Sequence, residues 1–138
     1  MFEETGDTKN AALAHLNLAD ATRNIGELDE AMTHYKEALE GSQRVGDRPQ
    51  IISSLFGLGS VLAAQAQYEP AARLLGAADG LSAGGIGSTN SSDAVMFNAD
   101  VSTLRSAMSE EAFAAAWETG RAFSIAEALA AATSSAAI

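Results

Sequence analysis

Apolar residues recur at helical spacing along most of the chain, and no run alternates with the period of a strand. Ala11, Leu13, Ala14, Leu16, Leu18, Ala21 and Ile25 cover a broad face of a first helix, with Asp7 placed to cap its start and Gly26 to stop it. A second helix is predicted from Leu28 to Val45, ended by Gly46, with Ala31, Tyr35 and Ala38 on one face. Asp47-Arg48-Pro49-Gln50 opens a third, running to about Ala66. Asp47 is the cap, Gln50 stands where a capping box needs it, and Pro49 sits in the first turn, where a missing N–H does no harm. Tyr68-Glu69-Pro70 starts a fourth helix to about Asp79.

The pattern then lapses. Residues 80–92 are dominated by glycine and serine and read as a flexible loop. Helix resumes from about Asp93 to Met108. Ser109 caps a further helix, with Glu110 and Glu111 in its first turn, Phe113 and Trp117 stacked four residues apart, and Gly120 at its end. Ser124-Ile125-Ala126-Glu127 is a second capping box, opening a last alanine-rich helix to about Ala132.

The first four helices form a repeat. Gly6-Asp7 returns as Gly46-Asp47, Leu16 as Phe56, Leu18 as Leu58, Leu28 as Tyr68, Ala31 as Ala71, Tyr35 as Leu75 and Ala38 as Ala78, always 40 residues on. Such phase-locked recurrence with similar chemistry marks two copies of one helix pair. Under the same shift, residues 2–5 align with the end of a second helix. The expected organisation is a single helical domain over 1–138: 1–6 the end of a truncated upstream repeat, 7–46 repeat one, 47–80 repeat two, 81–92 the loop, 93–133 closing helices and 134–138 a frayed tail.

Composition narrows the function. The chain has 138 residues, a net charge of −10 and 47% apolar residues, enough for one packed core. The acidic balance argues against direct contact with nucleic acid. Apolar runs are too short to span a membrane, and no secretory start is visible. The absence of cysteine removes disulfides and thiolate chemistry, and a cytoplasmic setting is expected.

Leu18-Ala19, Gly26, Leu28, Ala31, Tyr35 and Ala38, and then Leu58-Gly59, Tyr68, Ala71, Leu75 and Ala78, resemble the tetratricopeptide-repeat signature in order. That unit is usually about 34 residues; the longer one here is similar to the repeats of MalT-like and large ATP-binding LuxR-type transcription regulators, actinobacterial regulators and predicted signalling ATPases. Tyr68 to Leu81 resembles the last full repeat of those proteins, and Glu110 to Ala132 the segment that closes their C-termini. They more often carry a proline-containing, charged linker where this chain has Gly84 to Ser92. The resemblance implies an all-α fold, an α-α superhelix of helix pairs with a C-terminal helical cap. It also implies the C-terminal part of a longer regulator, working without a cofactor.

No catalytic group stands out. Gly84-Gly85-Ile86-Gly87-Ser88-Thr89 lacks the lysine and the preceding strand of a phosphate loop, and Asn90-Ser91-Ser92 lacks an export signal. His15 and His34 each stand without a carboxylate or second histidine four residues on, so no metal site is expected. His15 should pack within or beside the apolar face and His34 should face solvent. Glu40 and Arg44 form a surface pair, and no serine has a nucleophile-elbow setting. Phe113, Trp117 and Phe123 are expected to seal the last turn of the array.

What remains is a groove. The resemblance implies that the first helix of each pair lines a concave face, which would offer Leu13, Leu16, Asn17, Asp20 and Arg23, then Ser53, Phe56 and Ser60, with Ala63 beyond. Leu16 and Asp20 stand where chaperone-binding members carry a lysine and asparagine clamp for a peptide carboxylate. A hydrophobic or basic peptide is therefore expected rather than a C-terminal carboxylate. Leu13, Ala14 and Phe2, lacking an upstream neighbour, are expected to favour self-association. The leading expectation is a non-catalytic protein-interaction and regulatory scaffold, and the alternative is a small-molecule effector sensor.

Overall fold

The computed structural model describes the backbone of residues 2–82 and 92–136 and the side chains of residues 10–82 and 94–132. Seven α-helices account for almost all of the described backbone: α1 Phe2–Asn24, α2 Leu28–Val45, α3 Arg48–Ala64, α4 Tyr68–Leu81, α5 Ser92–Ala107, α6 Glu110–Arg121 and α7 Ile125–Ala136.

Local chemistry explains most of the boundaries. The first three turns fall 20 residues apart, each on a left-handed residue: Gly26 (φ 85°), Gly46 (φ 70°) and Ala66 (φ 62°). In each, the next N–H returns to a carbonyl five residues back, from Glu27 to Thr22, Asp47 to Ser42 and Gln67 to Leu62, all at 2.9 Å. That bond closes the Schellman motif and serves the carbonyls a helix end leaves bare. Asp47 caps α3 by accepting from the Gln50 N–H at 3.2 Å. The other half of the box is superseded: the Asp47 N–H is held by Ser42, and the buried Gln50 side chain accepts from the Ser42 hydroxyl at 3.2 Å. Ser109 caps α6, accepting from Ala112 N–H at 3.1 Å. Ser124 and Glu127 complete a full box, at 2.9 and 3.1 Å.

Three expected boundaries are corrected: α7 runs to Ala136, past its expected end at about Ala132 and into the segment expected to fray, and two more lie at Asp7 and Gly120. Asp7 does not stand at a helix start, because α1 runs unbroken from Phe2. Gly6 does not stop it, since a single interior glycine costs a helix only about 1 kcal/mol. Gly120 does not end α6 but lies inside it, buried. It is there for close approach: a methyl group at Gly76 would meet the Trp117 carbonyl oxygen at 2.7 Å, and Gly120 in turn lies against the Arg73 backbone. Glycine on both sides lets α4 and α6 pack backbone to backbone. The Gly/Ser segment and its phosphate-loop-like run fall on residues 83–91, outside the described residues, as do residues 137 and 138.

α1 lies along α2, α2 against α3 and α3 against α4, as a stack of helix pairs requires. The central helix is α3, where every residue from Ser54 to Ala63 is buried. Tyr35, Leu55, Leu58, Leu62, Leu74 and Leu75 form the middle of the core. The closing helices do not add a third pair: α6 packs chiefly on α4, α7 reaches α4 and α2, and α5 lies across α3 and α4. Among the described residues no buried side-chain nitrogen or oxygen lacks a hydrogen-bond partner.

Candidate functional site

The inner face of the first two pairs is organised around Tyr35. Its ring is fully buried and occupies the space a side chain at Gly57 would need. Its hydroxyl donates to the Asp20 carboxylate on α1. One turn on, the Arg23 guanidinium stands 3.7 Å from the same carboxylate and 5.8 Å from the centre of the Tyr35 ring. These contacts leave a cleft of about 80 Å³ between α1 and α3, lined by Leu16, Asp20, Arg23, Ser53, Phe56 and Gly57. That volume suits one side chain rather than a metabolite.

Of the residues expected on the concave face, Leu16, Asp20, Arg23, Ser53 and Phe56 thus meet in one cleft. Leu13 and Asn17 are exposed elsewhere on α1 and do not line it. Ser60 is buried beneath α5: its hydroxyl donates to Asp100 Oδ2 at 2.7 Å, and nearby Phe97 meets Phe56 edge-on at 5.8 Å. Burial raises the Asp100 carboxyl above its ordinary range, against the opposing pull of the Ser60 hydroxyl and Arg23. Sequence reasoning missed Tyr35, Gly57, Phe97 and Asp100 as parts of this face. The glycine one residue after Phe56, on a helix otherwise rich in bulky side chains, was the available signal.

A larger cleft, about 370 Å³, opens beside α6 and is lined by Arg105, Glu110, Phe113, Ala114, Trp117 and Glu118. Phe113 and Trp117 stack at 5.4 Å, as their spacing predicts, and Phe97 abuts Trp117 at 5.8 Å. The Arg105 guanidinium lies 4.8 Å from the centre of the Phe113 ring.

His15 is half-buried, in keeping with the expected packed or rim position, but His34 and the grouping of the two depart from expectation. His15 and His34 come together across α1 and α2 with Nδ1 atoms 3.4 Å apart, and His34 is half-buried rather than turned to solvent. Glu37, three residues after His34, lies 2.9 Å from His15 Nε2. A search confined to one helix at four-residue spacing misses this grouping, because it joins two helices and a three-residue step.

Among known families, the tetratricopeptide-repeat model matches residues 10–78, the two helix pairs and the turns between them. The chain belongs to the tetratricopeptide-repeat family. Repeats of this family generally mediate protein–protein interaction. No curated protein and no solved structure matches the chain. Among the described residues no helix is long and apolar enough to cross a membrane.

Proposed function

We propose that the chain is a non-catalytic interaction scaffold, the sensing or partner-binding part of a bacterial transcription regulator or signalling ATPase in the cytoplasm. The observation that carries this reading is the cleft between α1 and α3, where Leu16 and Phe56 provide apolar walls and Asp20 and Arg23 a polar rim. An apolar or mixed peptide side chain seated there would meet groups already held in place by Tyr35, so little ordering entropy is lost on binding. The regulator setting is supported by the resemblance of the segments from Tyr68 to Leu81 and from Glu110 to Ala132. The domain plan of two repeats and a closing cap is retained with it. Self-association is proposed through the outer side of α1, where Leu13 (44% exposed) and Leu18 (47%) lack cover, with Ala14 beside them and Ile25 (75%) in the turn that follows.

Native pull-down with mass spectrometry tests the scaffold reading. Protein partners retained by the wild type and lost by Arg23→Glu are expected. A partner set unchanged by that substitution would overturn the cleft as the contact site. The cleft beside α6 favours a second reading, an effector sensor, since its aromatic wall and volume suit a small molecule. A metabolite retained by the wild type and lost by Trp117→Ala would support it.

A further inference from the structure

We propose that His15, His34 and Glu37 form a binding site for a divalent transition-metal cation of the zinc class. One ligand atom from each residue lies within 4.8 Å of those of the other two. The Nδ1···Nδ1 separation of 3.4 Å is long for a hydrogen bond. It equals the spacing of two nitrogens each about 2.1 Å from a tetrahedral zinc ion, which is about 3.4 Å.

The neighbouring contact prepares the site. Donation from His15 Nε2–H to Glu37 Oε2 at 2.9 Å leaves His15 Nδ1 as the unprotonated nitrogen of a neutral ring, turned toward His34 Nδ1. A carboxylate behind a ligating imidazole is the arrangement that fixes its tautomer and orientation. The rings lie with centroids 5.6 Å apart and planes 24° apart. Both histidines are half-buried at the rim of the helix pair, so a small pivot of each ring brings both lone pairs to a common ion while water fills the remaining positions. Two imidazoles backed by a carboxylate suit zinc, copper or nickel, whereas calcium and magnesium prefer oxygen alone.

The consequence is mechanical. α1 is the first helix of the stack and packs mainly on α2. A metal shared by His15 of α1 and His34 of α2, with Glu37 of α2 holding the His15 ring from behind, pins the outer helix to its neighbour. It also restrains Asp20 and Arg23, farther along α1, at the cleft.

The chain contains two histidines and no cysteine, so nitrogen ligation of zinc has no other side-chain source. Calorimetric titration of the metal-stripped full chain with Zn²⁺ is expected to show one equivalent bound. Affinity should fall at least about tenfold in His34→Gln and in Glu37→Gln. It should be unchanged in Glu40→Gln, an exposed carboxylate on the same helix. Circular dichroism checks that each variant remains helical. Co²⁺ added to the wild type should give the visible absorption of a nitrogen-ligated ion, a readout that needs no variant. No saturable binding at one equivalent, or an equal loss in Glu40→Gln and His34→Gln, would overturn the site. An unchanged affinity in Glu37→Gln would overturn the three-residue assignment.

Discussion

At residue scale the three left-handed turns make a natural comparison. Gly26 and Gly46 adopt positive φ without a side-chain penalty, whereas Ala66 adopts φ 62° with a Cβ in place. An L-residue other than glycine pays about 1–2 kcal/mol there, and glycine returns part of that through the entropy of the unfolded chain. Ala66→Gly is therefore expected to stabilise the fold by about 0.5–1 kcal/mol, and Gly46→Ala to destabilise it by about 1 kcal/mol. Paired urea denaturation curves measure both, and a destabilised Ala66→Gly would contradict the left-handed assignment. The position of that turn was legible, with helix expected to about Ala66 and again from Tyr68, but its left-handed residue was not: no glycine marks it, yet the hydrogen bonding is that of Gly26 and Gly46.

At the scale of elements, the instructive contact is α5 on α3. Capping chemistry is local, and Ser109, Ser124 and Glu127 act as their sequence context predicts. The seating of α5 is not local: Phe97 meets Phe56, and Asp100 meets Ser60, across about 40 residues of chain. Packing therefore draws a carboxylate into partial burial. Because the folded Asp100 pKa lies above its ordinary value of 3.8, the folded state binds this proton more tightly than the unfolded state. The favourable contribution is present below the unfolded value and is lost as pH rises through the folded one. Asp100→Asn retains an oxygen to accept from Ser60 and removes the titration. Its stability relative to wild type is expected to be lowest in acid and to increase toward neutral pH. Thermal unfolding of both proteins across that range measures the difference, and a pH-independent difference would contradict it.

For the whole molecule, a stack of pairs leaves its ends unsatisfied. The closing end is covered by α6, whose Phe113 is buried on the stack while Trp117 and, beyond the helix, Phe123 pack partly buried against the core. At the α1 end Leu18 and Ile25 are exposed. If copies associate through α1, the double substitution Leu18→Lys and Ile25→Lys shifts the light-scattering mass toward monomer and leaves helicity unchanged. A wild type that stays monomeric at high concentration would end that proposal.

The sequence by itself determined the seven helices, most of their limits apart from the start of α1 and the end of α7, and the pairing of the first four, because caps, left-handed turns and apolar period act within a few residues. It did not determine how helices meet. The glycines at 76 and 120 are read as close-approach residues only once α4 and α6 lie together. The Asp20–Tyr35 bond, the Ser60–Asp100 bond and the His15, His34 and Glu37 group arise only once helix rotation and axial offset are set. Those two quantities come from burying the whole core at once, and a local pattern cannot encode which polar atoms end up within 3 or 4 Å.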